Sequence, residues 1–459
     1  MRALRQFFAS GPVQSVPARL DAEQRRRYSR ARWSVFLSVT FGYGFFYVSR
    51  INFSVVKQPM LDAGVASTTA MGLAGSAMLV VYAVGKSVNG FLADRSNIRR
   101  FMSTGLLMAA LLNLLIGSGQ LMWAFVLLWG LNGWFQSMGS APSVVALTHW
   151  FSVKERGVRY GVWSVSHSIG EGLTFALTAT LVALWGWEAG FWLPGLLCLV
   201  VGLVLTRTLR DRPQAEGFPP VSVFTGEPEG EAKASVGRAQ LEVLKQPAIW
   251  VLGLASASLY VVRYGLNNWG VLFLQQSKGY SLSEAGLVLS AYPVAALFGS
   301  VSAGFVSAYL AGGRHGRPAM ALALLQLLSL FLLGNVSHEL LWLDLLTMVL
   351  FGLSMGGLLV YLGGLMAIDM VGKEAAGAAM GIIGLFSYVG AAIQDLVTGV
   401  VLDAGSSKVD GGVVLDFGPI TAIWLSASTA SALFLALVML LGRRAAEQKG
   451  EQGDDSGLS

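Results

Sequence analysis

Twelve stretches of this sequence are apolar over the length of a bilayer. They run at roughly 33–56, 70–93, 101–119, 121–147, 159–183, 189–206, 247–275, 284–311, 318–334, 339–369, 375–401 and 417–442. A helix needs about 20 mostly apolar residues to cross the hydrocarbon core, so each predicts a span. Only 13% of residues are charged and the mean hydropathy is +0.60, which excludes an ordinary soluble domain. The 56 glycines suit helices that pack closely within a membrane.

Charge sets the orientation. With both termini assigned to the cytoplasm, 26 of the 32 Lys and Arg fall on that side. Lys57, Lys278 and Lys408 fall on the other, and Arg50, Lys86 and Arg263 lie within predicted helices. This asymmetry is the positive-inside pattern. The pI of 9.4 therefore reflects topology and contact with anionic lipid, not nucleic-acid binding. The Arg25–Arg32 run reads as a cytoplasmic anchor for the first helix. Cys198 is the single cysteine, so no disulfide forms within the chain and the redox compartment cannot be read. No cleaved signal peptide is expected at the N-terminus. The expected location is the inner or plasma membrane.

Residues 207–246 form the one long polar interior stretch, with Arg210-Asp211-Arg212-Pro213 and the Gly/Glu/Pro-rich Gly226–Glu231. They read as a linker between a bundle at 33–206 and a second at 247–442, with tails at 1–32 and 443–459. The tail from Arg443 is polar enough to predict disorder. The halves repeat. Gly90-Phe91 and Gly304-Phe305 close the second and eighth helices, Met138-Gly139 matches Met355-Gly356, and Lys154-Glu155 matches Lys373-Glu374, at offsets of 214 to 219 residues. A duplicated unit of six spans gives halves that run parallel.

The tetrapeptide Tyr-Val-Xaa-Arg ends at Arg50 and again at Arg263, 213 residues apart. An arginine within a span is costly, and two at equivalent points suggest a pair that meets an anion. A guanidinium stays charged and presents a planar fork that matches phosphate oxygens two at a time. A phosphate monoester carries about −1.5 to −2 charge, which two arginines nearly neutralise. The alternative for each is an arginine reaching toward an interface.

Gly90-Phe91-Leu92-Ala93-Asp94-Arg95, followed by Arg99-Arg100, resembles the signature loop of the major facilitator superfamily. Asp94 and Arg95 would then serve gating, Asp94 pairing with a base or a helix N-terminus when the cytoplasmic side closes. The second half keeps Gly304, Arg314 and Arg317 without the Asp-Arg pair. The stretch GWFQSMGSAPSVVALTHWFSVKERGVRYGVWSVSHSIG at Gly133–Gly170 is similar to helices four and five of the organophosphate:phosphate antiporters. Arg156, Gly157, Trp163, His167, Ile169 and Gly170 fit that family's motif. Ser164, Ser168 and Glu171 depart from it. The resemblance covers nearly the whole chain. It implies a major facilitator fold, an all-α membrane protein with 12 transmembrane helices in two pseudo-symmetric bundles. It also implies a secondary transporter, not an enzyme, that exchanges an organophosphate for inorganic phosphate by alternating access.

By that resemblance Arg50 and Arg263 bind the phosphate, Lys86 stands near it, and His167 is a substrate-site residue. The alternatives are an interfacial lysine and a core histidine satisfied by Ser164 or Glu171. Tyr47 and Tyr260, three residues before the arginines and on the same helix face, either donate hydroxyls to phosphate or pack; Tyr43 lies one turn earlier. Asp395, beside Gln394, either contacts sugar hydroxyls, pairs with a cation such as Lys86 or Arg263, or makes an inter-helix hydrogen bond. Asn267 and Asn268 are candidate sugar contacts. His149 reads as interfacial, His315 and His338 as loop residues. The absence of a Gly-x-x-x-x-Gly-Lys-Ser/Thr phosphate loop, since Gly85-Lys86-Ser87 lies in an apolar stretch with Val80 at the first glycine position, speaks against ATP drive, and no Cys/His set suggests a metal. No catalytic residue and no cofactor is expected. The expected partners are the phosphorylated substrate, inorganic phosphate and the lipid bilayer, for a monomer. Two rivals remain: a sensor of external hexose phosphate acting with a partner kinase, and a proton-coupled carrier of another organic anion.

Overall fold

The structure, a computed structural model, describes residues 6–9, 11, 21–119, 121–221, 223, 243, 245–306, 315–335, 340–371, 376–409 and 412–455. The sequence features at Gly226–Glu231, Arg314, His338 and Lys373-Glu374, and the side chain of Lys408, lie outside them. The chain divides into two compact units. One is Met1–Glu231 with Ser281–Ser290; the other is Ala232–Tyr280 with Ala291–Ser459.

The first unit begins with α1, Ala22–Asp62. It starts earlier than the predicted span because Asp21 caps it. The Asp21 carboxylate accepts from the Gln24 amide at 2.7 Å, and the Gln24 side chain accepts from the Asp21 amide at 3.1 Å. This reciprocal box nucleates a helix in polar sequence. α2 spans Thr68–Ala93 and α3 spans Ile98–Gly117, capped by Ser67 and Asn97. α4 is broken into Met122–Gln136 and Ser140–Trp150, where the sequence predicts one span at 121–147. Pro142 has no amide to offer the Met138 carbonyl, and the Ser137 hydroxyl turns back to the Trp134 carbonyl at 2.6 Å. α5 runs Val153–Leu173, passes through a π turn at Thr174–Thr178, and resumes at Ala179–Trp185. α6 is Ala189–Thr208.

A buried polar network ties these helices together. The Ser49 carbonyl of α1 accepts from Asn113 of α3 at 3.1 Å and from Asn132 of α4 at 3.2 Å, and its hydroxyl accepts from Gln136 at 3.0 Å. Asn52 donates to Asn113 and to the Gly190 carbonyl, each at 2.8 Å. Amides that donate across helices in this way fix one packing register among helices that apolar contact alone leaves slippery.

The second unit holds α7 (Pro247–Lys278), α8 (Leu282–Phe305, its start grouped with the first unit), α9 (Gly316–Asn335) and α10. α10 runs Leu341–Val360, through a π turn at Tyr361–Leu365, to Met366–Val371. α11 (Ala376–Ala404) leads through a short hairpin, Ser407–Val409 paired with Gly412–Val414, into α12 (Gly418–Asp455). α12 thus continues past Arg443, where the sequence predicts a disordered tail. Glycines set the close approaches: a Cβ at Gly390 of α11 would fall 2.7 Å from the Ala257 carbonyl oxygen of α7.

Ten of the described helices are long and apolar enough to cross a membrane. The other two predicted spans are α1, which carries Arg50 and Lys57, and the broken α4. Two lysines of the charge count are buried. Lys57 is fully buried in α1 over the Phe53 ring, 5.0 Å from its centroid. Lys278 is buried against Asp344 at 3.4 Å, and Tyr280 donates to the same carboxylate at 2.7 Å. Lys57 lies five residues before the end of α1 and Lys278 is the last residue of α7; the Phe53 ring covers the first, and a counter-charge meets the second.

Candidate functional site

In the first unit the site begins with two glycines. A Cβ at Gly170 of α5 would lie 2.4 Å from the Gly44 carbonyl oxygen of α1, so the backbones touch there. That contact brings Tyr43 and Tyr47 of α1 against Trp163 and His167 of α5. The Tyr43 ring stacks on Trp163 at 4.7 Å, and the Tyr47 ring lies 5.2 Å from His167. Arg50, one turn further and only 6% exposed, rests its guanidinium 4.4 Å over the Tyr82 ring of α2 and 5.6 Å from Tyr47. Ring faces attract a guanidinium without cancelling its charge. Ser49 and its amide network anchor the backbone directly before Arg50. Lys86 lies one turn after Tyr82, on the same face of α2, and is exposed.

His167 contacts the Ser168 hydroxyl through Nε2 at 3.4 Å. Ser164, one of the two partners the sequence suggests, donates instead to the Gly161 carbonyl at 2.8 Å. Glu171, 2% exposed, follows His167 by one turn on the same helix face.

The second unit repeats the theme with different residues. Arg263 of α7 lies 5.6 Å from the Tyr260 ring and 5.7 Å from that of Tyr264. Tyr388 of α11 closes the cluster, 5.6 Å from Tyr260 and 6.1 Å from Tyr264. Asp395 is fully buried. It accepts from the Asn268 side chain at 3.0 Å and from the Trp269 indole N–H. Of the roles the sequence leaves open for Asp395, these contacts realise the inter-helix hydrogen bond, and they use Asn268 as its donor. Gln394 donates to Thr398 at 2.7 Å, and Asn267 of α7 is buried.

The structure thus brings Tyr43, Tyr47, Arg50 and His167 together in one unit, and Tyr260 and Arg263 together in the other. Tyr82, Trp163, Tyr264 and Tyr388 complete these clusters and were not singled out as site residues from sequence. Helical spacing carries a signal for two of them: Tyr82 precedes Lys86 by four residues, and Tyr264 follows Tyr260 by four.

The α2–α3 turn carries Asp94. Asp94 is exposed and closes α2, and its main-chain carbonyl accepts from Arg212. The Asp211 carboxylate, more than 100 residues along the chain, docks on the N-terminus of α3. It accepts from the Ile98 amide at 3.0 Å and the Asn97 side chain at 3.1 Å, at the start of α3, and from the Gly11 amide at 3.0 Å. Its carbonyl accepts from the Trp150 indole at 2.6 Å. Buried at 2% exposure, Asp211 has the positive end of the helix dipole as its compensation. His149 lies in the last turn of α4. Among the described residues no group of three or more His, Cys, Asp or Glu is placed to hold a metal.

The family profile of the Major Facilitator Superfamily matches residues 39–394. A probable hexose phosphate transport protein of Chlamydia muridarum is 35% identical over 82% of this chain and 86% of its own. The membrane sensor protein UhpC of Escherichia coli is 33% identical over 86% of this chain and 90% of its own. A bacterial homolog of the human lysosomal transporter Spinster, solved inward-facing and unoccupied, superposes with a TM-score of 0.70 at 18% identity, over 89% of this chain and 95% of that one. That likeness concerns the fold alone, which is the major facilitator fold predicted from sequence. The chain is a multi-pass membrane protein of a transporter family, not an enzyme. It belongs to the Major Facilitator Superfamily, among the relatives of the organophosphate:phosphate antiporters.

Proposed function

We propose that this protein exchanges an organophosphate, of the sugar-phosphate or glycerol 3-phosphate type, for inorganic phosphate by alternating access. One observation carries the reading. In each unit the arginine of a Tyr-Val-Xaa-Arg phrase is seated on tyrosine rings, in a chain whose relatives include a probable hexose phosphate transport protein. Arg50 and Arg263 grip the phosphate through paired N–H groups, and Lys86 adds a third cation. Tyr43, Tyr47 and Tyr260 offer hydroxyls, and His167 and Asn267 contact the bound molecule. Asp395 holds Asn268 and Trp269 in place and so acts on selectivity. Asp94 and Arg95 serve the gate. The working unit is a monomer of two six-helix bundles, 33–206 and 247–442, with both termini cytoplasmic in the inner membrane.

Bound phosphate relieves the repulsion between two guanidinium groups, which lowers the barrier to the switch between access states. A doubly cationic empty carrier returns slowly, and exchange follows. The test is counterflow in proteoliposomes. Radiolabelled phosphate is expected to enter vesicles loaded with phosphate and to be displaced by glucose 6-phosphate, glycerol 3-phosphate or phosphoglycerate. Fast uptake without internal phosphate would exclude obligate exchange, and uptake abolished by an uncoupler alone would support proton coupling.

The 33% identity to a membrane sensor protein favours one second reading, a receptor for external hexose phosphate that signals to a partner kinase. Saturable binding with negligible turnover would select it.

A further inference from the structure

Between α2, α3 and α4 lies a groove of about 810 Å³, within the range of about 300–1,000 Å³ typical of ligand pockets. Its walls are largely apolar, formed by Leu92, Phe101, Met108, Trp134, Phe135 and Met138. One end differs. Arg95 of the α2–α3 turn lines it, and Arg99 and Arg100 follow in the first turn of α3. The N-terminal segment is stitched to this end. The Asn97 amide donates to the Phe8 carbonyl at 2.7 Å, and the Arg100 guanidinium donates to the Phe7 carbonyl at 2.7 Å. Ala9 forms a bridge with Ser96, and the Phe8 ring lies edge-on to Phe101 at 5.7 Å. Phe91, beside the groove, is 78% exposed, as a side chain facing lipid is.

The shape and chemistry restrict the occupant. Inorganic phosphate has no use for apolar walls. A peptide would carry backbone polar groups into a trough that offers few partners. An apolar trough with Arg95 at one end, where Arg99 and Arg100 follow and the Asp211 carboxylate is taken up by Asn97 and Ile98, suits an acyl chain joined to an anionic headgroup. Basic pockets between helices at the cytoplasmic face bind such headgroups. We propose that this groove is a binding site for an anionic phospholipid, with one acyl chain between α2, α3 and α4 and the phosphate at Arg95. The bound lipid then ties the turn that carries Asp94 to the membrane surface.

The test uses the full-length protein in nanodiscs that contain brominated phosphatidylglycerol or brominated phosphatidylcholine at graded mole fractions. Bromine on an acyl chain quenches a tryptophan it touches. The Trp134 contribution is isolated by subtracting the Trp134→Phe variant. Half-maximal quenching is expected at a mole fraction about fivefold lower for phosphatidylglycerol. Arg95→Gln is expected to erase that preference, and Thr104→Phe, which fills the trough, to remove quenching by both lipids. Equal quenching by the two lipids in the wild type, which is non-selective annular contact, overturns the proposal. So does an unchanged preference in Arg95→Gln. Should Arg95→Gln fail to fold, the wild-type comparison and Thr104→Phe decide.

Discussion

At the scale of single residues, Arg50 and Arg263 each stand by tyrosine rings, which attract a guanidinium without cancelling its charge. Arg263→Lys is expected to lose at least about tenfold in initial transport rate, because an ammonium cannot reproduce a two-point grip; wild-type uptake in proteoliposomes would remove Arg263 from the site. Tyr82→Leu is expected to weaken substrate binding several-fold, the worth of a cation–π contact of about 1 kcal/mol, with Tyr82→Phe close to wild type in the same titration. Asp395→Leu strands the N–H groups of Asn268 and Trp269 at about 1–3 kcal/mol each, so its thermal midpoint falls well below that of Asp395→Asn. The arginines were legible in the sequence because charge inside an apolar run is rare and costly. Tyr82 and Tyr388 were not, because a tyrosine in a span carries no such penalty and its neighbours depend on which helix crosses where.

Crossings belong to the scale of elements, and the one between α1 and α5 rests on Gly44 and Gly170. Gly170→Val places side-chain atoms inside the Gly44 carbonyl contact. It should separate Tyr47 from His167, raise the apparent KM and lower the melting midpoint by several degrees. Gly161→Ala, with nothing within 4 Å of its added carbon, is the control and should stay near wild type. Element boundaries were the least legible feature of the sequence. Apolar content alone draws 121–147 as one helix, and hydropathy cannot register that Pro142 deprives the Met138 carbonyl of a donor. Hydropathy also misses the Asp21–Gln24 box, which starts α1 well outside the apolar run.

At the scale of the whole molecule, the span count follows from apolar length, a physical requirement of the bilayer, and the structure supplies a helix or broken helix for each of the twelve. Lys57 and Lys278, assigned from sequence to the side opposite the termini, are buried in their helices, and labelling measures the orientation itself. In a Cys198→Ser background, a cysteine at Ala63 should react with an impermeant maleimide added to intact cells, and one at Arg207 only after permeabilisation; the reverse pattern would invert the topology. The π turns of α5 and α10 carry a last consequence. Each stores one residue more than an α-helical turn holds. Were that surplus absorbed, everything beyond it would swivel by about 100° while the helix lengthened by only about 1.5 Å. A spin label at Leu184 would register such a clutch as a change of heading with almost no change of height.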